Sequence, residues 1–219
     1  MIEATFGLAK FAKATDAQSL ADSYGSWNGV RSNHVVSSSG SFSGEDGSSR
    51  SISTKEDREL LIALRARADL IVVDAATARL EKYRSPKSKT SLALFSLSGD
   101  FTDIPAVETS QLPIYLFSGN DSPRFPPNPN AVIVPLTENP FKGFLAWAKM
   151  HSLDAILLEA GPNLTAKAFQ AKIVRQSAVT RTGDLTDLDP EVMENPFDAQ
   201  AKLVSLAQTK GASFSLWSH

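Results

Sequence analysis

Between residues 70 and 158 the chain alternates short apolar runs with polar, turn-rich stretches. The runs are Leu70-Ile71-Val72-Val73, Leu92-Ala93-Leu94-Phe95, Ile114-Tyr115-Leu116-Phe117, Val132-Ile133-Val134 and Ala155-Ile156-Leu157-Leu158. Continuous runs of this length, apolar on both faces and not alternating, suit strands of a sheet covered on both sides. Val35-Val36, the Ile173 to Thr180 stretch and Phe214 to Trp217 add weaker strand candidates.

Helical patterns with readable start signals lie between the runs. Ser53-Thr54-Lys55-Glu56 reads as a capping box, and Leu60, Leu61 and Leu64 then place apolar groups on one face before Arg65 and Arg67. Asn139-Pro140 puts a cap residue before a proline at the first helical position, leading into Phe141, Phe144, Leu145 and Ala148. Asn195-Pro196 repeats that device ahead of Leu203 and Leu206, with Gly211 as a C-terminal stop, and so predicts a third helix. The order strand, helix, strand implies an α/β sandwich with a largely parallel sheet, in which the last strands could pair antiparallel. Ligands of such sheets bind at the carboxyl ends of strands. Attention therefore falls on the loop around Ser39, the Asp74 to Thr77 turn and the Glu159 to Leu164 turn.

Composition narrows the function. A length of 219 residues and 42% hydrophobic content suit one compact domain, with two small ones possible on length alone. The formal net charge of -2 leaves no global basic field for nucleic acid or an anionic membrane. No window approaches the ~18 consecutive apolar residues of a membrane helix, so the expectation is a soluble, cytoplasmic protein. The absence of cysteine excludes thiolate chemistry, and His34, His151 and His219 are too scattered in sequence to suggest a metal site.

Two stretches carry candidate chemistry. The segment from Val35 to Arg50, VVSSSGSFSGEDGSSR, has the composition of a flexible linker, yet it follows a predicted strand as a binding loop would. The second, DAILLEAGPNL from Asp154 to Leu164, is a strand ending in a small-residue turn that opens a helix at Asn163. Glycine there permits close backbone approach, and the helix start offers unpaired N–H groups to an anion.

The DAILLEAGPNL stretch is similar to the Glu-Gly-Gly-Pro-x-Leu signature of the riboflavin-pathway pyrimidine reductases, whose fold is related to dihydrofolate reductase. Three further stretches resemble that family in the same order. Arg31 to Gly40 looks like its first strand, which ends in Ser-Leu-Asp-Gly. Asp57-Arg58 with Leu64 to Thr77 looks like its Leu-Arg-Ala-x-Ala-Asp helix, strand and Gly-Ala-x-Thr turn, and Gly211 to Trp217 looks like its closing strand.

The resemblance implies a dihydrofolate reductase-like three-layer α/β sandwich over residues 1–219, with a mostly parallel central sheet, antiparallel C-terminal strands and a variable segment at 1–23. It implies a homodimer that uses NADPH to reduce the ribosylamino group of a phosphorylated aminopyrimidine to ribitylamino. Ala75, Ala76, Thr77, Gly161, Pro162, Asn163 and Leu164 would line the cofactor. Glu159 and Ser39 would be catalytic, and Ser38, Gly40 and Arg50 would bind substrate. The Ser/Gly stretch then reads as a loop over the ligand.

The match breaks where chemistry is concentrated. Ser39 stands for the acid of Ser-Leu-Asp-Gly, Asp74 for the first Gly of Gly-Ala-x-Thr, and Ala160 for the first Gly of Glu-Gly-Gly-Pro. Arg175-Gln176 replaces an Asp-Glu pair. Asp74 either caps a turn or repels an anionic cofactor, and Glu159 is either a structural acceptor or a substrate contact. The alternative to a reductase is therefore a catalytically degenerate relative that binds a nucleotide or serves as a dimeric subunit.

Overall fold

The computed structural model describes residues 2–6, 16–86, 89–183 and 193–219. Residues 1 and 7–15 of the segment expected to be variable lie outside them. The chain divides into two compact units: residues 1–67 with 174–219, and residues 68–173.

The second unit holds the apolar runs. Its strands are β3 (Leu70–Asp74), β4 (Ser91–Ser96), β5 (Ile114–Ser118), β6 (Ala131–Pro135) and β7 (Ala155–Leu158), and its helices are α3 (Ala75–Leu80), α4 (Pro105–Thr109), α5 (Pro140–Met150) and α6 (Pro162–Gln170). The strands lie in the order β7-β3-β4-β5-β6, every pair parallel. Ile71, Val73, Leu92, Leu94, Ile114 and Leu116 pack with Phe101, Ile104 and Val107 in one buried cluster. The run at β6 departs from the expectation of two covered faces. With β5 as its only neighbour among the described strands of this unit, it leaves Val132 43% and Ile133 37% exposed.

Start signals explain the helices here. The Asn139 side chain accepts from the Lys142 amide, with Pro140 at the first helical position of α5, as the sequence implies. Helix α6 begins at Pro162, one residue before the expected Asn163, because Gly161 is its N-cap.

The first unit contains β1 (Glu3–Phe6), α1 (Ala17–Ser23), β2 (Gly29–Ser37), α2 (Lys55–Arg65), β8 (Val174–Thr182), β9 (Lys202–Thr209) and β10 (Ala212–Ser218). The order is β1-β9-β10-β8-β2, with β2 and β8 parallel and the other pairs antiparallel. Parallel pairing with antiparallel C-terminal strands matches the expected fold class.

Two helix readings need correction. The predicted helix after Asn195-Pro196 is instead β9, joined to β10 by the two residues Lys210-Gly211. Asn195 still caps locally, accepting from the amides of Phe197 at 2.9 Å and Asp198 at 3.2 Å, but it closes a turn. Pairing of β9 with both β10 and β1 supplies the backbone bonds that a helix would have made internally. The cap of α2 lies one residue later than the sequence suggests: Thr54 accepts from the Asp57 amide, and Ser53 donates to the Asp57 carboxylate at 2.6 Å.

Asp57 is only 5% exposed. Burial pushes its carboxyl above the usual range, against the pull of hydrogen bonds from Ser53 and Thr180 and of the nearby Arg58 charge. The folded state therefore binds this proton more tightly than the unfolded chain. The associated stability is fully present below the unfolded pKa and is lost as pH rises through the folded value. Asp57→Asn is expected to have a higher urea midpoint than wild type at pH 7 and to lose that advantage near pH 4. Equal differences at both pH values would contradict the assignment.

Candidate functional site

The carboxyl ends of the second unit's strands enclose a cavity of about 500 Å³. Asp74, Ala75 and Ala76 enter it from the end of β3, Ser96 to Ser98 from β4, and Leu136 from the residue after β6. Pro140 and Phe141 contribute from α5, and Asn163, Leu164 and Lys167 from α6. Strands that run parallel end on the same side, so turns distant in sequence converge here. Four of the seven expected cofactor residues, Ala75, Ala76, Asn163 and Leu164, line the cavity. The other three adjoin it: Thr77 follows Ala76, and Gly161 and Pro162 precede Asn163.

Asp74 links the two turns. As the N-cap of α3, its carboxylate accepts from the Thr77 amide at 2.8 Å and from the Thr77 hydroxyl at 2.8 Å. The same carboxylate accepts from the Gly161 amide at 2.7 Å. The capping reading of Asp74 holds, and the group that caps the turn also places a carboxylate on the backbone donor of the Gly161 turn. Glycine is required at 161, since an added Cβ would collide with the Thr77 hydroxyl. Ala160 is buried and does not take a left-handed backbone, so its methyl brings no conformational strain.

This arrangement does not fit a dinucleotide whose diphosphate would lie on the Gly161 turn. The Gly161 N–H is already engaged, and the group engaging it is an acid. An arriving phosphate would have to displace the Asp74 carboxylate or sit beside it as a like charge.

Glu159 does not line the cavity. It is 7% exposed and accepts from the Tyr83 hydroxyl at 2.5 Å, which supports the structural-acceptor reading of that residue. Ser38, Ser39, Gly40 and Arg50 belong to the first unit. Their loop is an ordered turn: the Gly40 amide donates to the Ser37 carbonyl, the Ser37 amide to the Ser41 carbonyl, and the Ser37 and Ser39 hydroxyls lie 2.8 Å apart. Gly40 holds φ at +85°, a conformation that residues with a Cβ rarely adopt. Arg50 is exposed on a short turn of 3-10 helix, Ser49–Ser51. The His34 ring packs against Phe42 and Phe197.

Sequence reasoning missed Arg79, Phe95, Asp100, Phe141 and Lys167 in the cavity wall. The strand-end rule could have found Phe95, next to the last residue of β4. Arg79 and Lys167 give no local signal, since each is an ordinary charged residue of a short helix. Among the described residues, no group of three or more His, Asp and Glu could hold a metal ion, and no helix is long and apolar enough to cross a membrane.

No protein-family model and no curated protein matches the sequence. Solved structures do match the fold. The pyrimidine reductase-like protein of Corynebacterium diphtheriae superposes with a TM-score of 0.72 at 22% identity, covering 93% of this chain and 98% of that one. A diaminohydroxyphosphoribosylaminopyrimidine deaminase/5-amino-6-(5-phosphoribosylamino)uracil reductase of Thermotoga maritima gives 0.68 at 14% identity, covering 92% of this chain and 59% of that one. The riboflavin biosynthesis reductase of Saccharomyces cerevisiae gives 0.59 at 12% identity, covering 88% and 90%. The chain has the fold of the riboflavin-biosynthesis pyrimidine reductases, as its four ordered motifs imply.

Proposed function

We propose that this chain is a divergent relative of the pyrimidine reductases that keeps a small-molecule pocket at the strand ends of its second unit and has given up the diphosphate cradle of a nicotinamide dinucleotide. One observation carries the reading: the Asp74 carboxylate occupies the Gly161 amide at 2.7 Å. Two further features agree with it: Ser39, standing for an acid, cannot act as a carboxylate near neutral pH, and the Glu159 carboxylate is held by the Tyr83 hydroxyl.

A second reading is favoured by the convergence of Ala75, Ala76, Asn163 and Leu164 on one cavity. It is an NADPH-dependent reductase of the 5-amino-6-(5-phosphoribosylamino)uracil type, cytoplasmic and homodimeric, with residues 1–219 acting as one domain on a phosphorylated aminopyrimidine. It requires the Asp74 carboxylate to leave the Gly161 amide. Titration with NADPH, read by thermal stability, separates the two. A ligand that binds only the folded state adds about 2.7 kcal/mol at a hundredfold excess over Kd. The first reading expects no saturating rise in Tm up to millimolar NADPH, and a saturating rise would overturn it in favour of the second.

A further inference from the structure

A relay of polar side chains lies wholly within the first unit. The His219 Nδ1 atom is 2.8 Å from the Asp198 carboxylate, and the Nε2 atom of the same ring is 2.9 Å from the Ser177 hydroxyl. A carboxylate only accepts, so Nδ1 carries the proton and, in the neutral ring, Nε2 accepts from Ser177. The Ser177 oxygen in turn accepts from the Asn195 side-chain amide at 2.7 Å. Ser177 is fully buried, and the His219 side chain is 7% exposed. The bond from His219, with one from the Gln200 amide, holds the Asp198 carboxyl below the usual carboxylate range.

The order Asp, His, Ser is that of a nucleophile triad. Its position argues for a fastening instead, because Asp198 and Asn195 both belong to the turn at 195–201. A movement of that turn that bared Ser177 would take the acid away with it. The turn is also tied to itself. Asn195 accepts from the amides of Phe197 and Asp198, the Asp198 carboxylate accepts from the Gln200 amide at 2.9 Å, and the Ala201 amide donates to the Asp198 carbonyl. A segment bonded in this way moves as one piece, and it is pinned at two points: by Asn195 to Ser177 on β8, and by Asp198 to His219, the residue after β10.

Phe197 carries the connection outward. Its ring centre lies 4.9 Å from that of Phe42 and 4.8 Å from that of His34. Phe42 belongs to the serine-rich turn after β2, in which the Gly40 amide donates to the Ser37 carbonyl and the Ser41 amide to the Ser37 hydroxyl at 3.1 Å. Phe42, Met193 and Ala201 pack against one buried cluster of Val36, Val179 and Trp217. Serine- and glycine-rich chain is flexible when left to itself, so order in this turn has to come from what its one large side chain touches.

We propose that residues 195–201 form a latched strap: His219 fastens the strap to the sheet, and Phe197, packed on Phe42, lets the strap hold the turn at 37–43 in its ordered form. His219 is then a positioning residue for a turn far from it in sequence, and unfastening it loosens strap and turn together. This goes beyond the pocket reading above and does not rest on it.

The test is amide hydrogen exchange of the full chain, resolved by residue with NMR, in wild type, His219→Ala and Phe197→Ala. His219→Ala is expected to speed exchange by about tenfold or more at Asp198 and Gln200 in the strap and at Gly40 and Ser41 in the turn, with the amides of β10 unchanged, since local opening is reported by the amides it exposes. Phe197→Ala is expected to speed Gly40 and Ser41 by a similar factor while Asp198 and Gln200 keep their wild-type rates, because the latch is still in place. A merely structural role for His219 would loosen β10 as much as the strap, and that result would overturn the proposal. Wild-type rates at Gly40 and Ser41 in either folded variant would overturn it as well. If circular dichroism shows that His219→Ala does not fold, Phe197→Ala decides alone by the same criteria.

Discussion

Asp74→Gly is expected to bind NADPH more tightly than wild type, with a larger ligand-dependent rise in Tm. The substitution removes the carboxylate from the Gly161 amide and frees a backbone donor on the turn that a diphosphate would approach. A like charge about 4 Å away costs about 4 kcal/mol at an effective dielectric constant of about 20, so removing it can alter affinity by far more than tenfold. The loss to the unliganded fold is smaller. Glycine is itself a tolerated N-cap, and replacing an aspartate cap by glycine costs only a few tenths of a kcal/mol at a typical site. Loss of the tie between the two turns adds to that cost, so the readout is the shift on adding NADPH rather than the Tm itself. With NADPH at about a hundred times Kd, the stabilisation of about 2.7 kcal/mol corresponds to roughly 5–10 °C for a chain of this size. Asp74→Asn separates charge from geometry, because the amide side chain can still cap α3 but carries no negative charge. A gain in Asp74→Gly and a smaller gain in Asp74→Asn are the expected pattern. Equal shifts in wild type and both variants would mean that the carboxylate excludes nothing.

The parts of the fold that could be read from the sequence share a physical cause. Strands β3, β4, β5 and β7 are nearly continuous apolar runs because their residues are buried, and a run buried on both faces announces itself without help from distant sequence. β9 does not. Leu203 and Leu206 sit three apart behind an Asn-Pro start, which is helical spacing, and only antiparallel neighbours at β10 and β1 decide in favour of a strand. Local pattern was overruled by pairing partners that no short window contains. The site divides in the same way. Each turn, Asp74 to Thr77 and Gly161 to Leu164, could be picked out as a strand-end junction. Their union could not, because the bond from Gly161 to Asp74 spans 87 positions of sequence. The departure Arg175-Gln176 looked like a loss of acidic chemistry, and its packing role appears only when the partner of Gln176 is known.

That partner is Arg31, and Arg31→Ala is expected to be among the most destabilising single substitutions in the first unit. The side chain is fully buried. Its Nε and Nη2 both donate to the Gln176 side-chain oxygen, at 3.0 and 2.6 Å, and Nη2 also donates to the Tyr24 carbonyl at 3.0 Å. The guanidinium carbon lies 4.2 Å from the centre of the Trp27 ring, close enough for a cation–π contact. Burial pulls the Arg31 pKa down to about 10, so the group is still charged at neutral pH. No carboxylate pairs with it among the described residues. The charge is instead spread over neutral oxygens and an aromatic face, which is how a buried cation is tolerated without an acid. Truncation to alanine strips the donor from two well-made acceptors, at about 1–3 kcal/mol each, and leaves a void where the side chain lay. A total loss of roughly 3–5 kcal/mol is a large fraction of the 5–15 kcal/mol that usually holds a domain together. Arg31→Lys is expected to recover only part of it, because one ammonium cannot reproduce the planar fork that meets Gln176 and Tyr24 together. Urea unfolding followed by tryptophan fluorescence and far-ultraviolet circular dichroism measures both variants. A loss below about 1 kcal/mol for Arg31→Ala would mean that water or a rearranged Gln176 satisfies those acceptors, and that the replacement of acids by Arg175-Gln176 has no structural counterpart in Arg31.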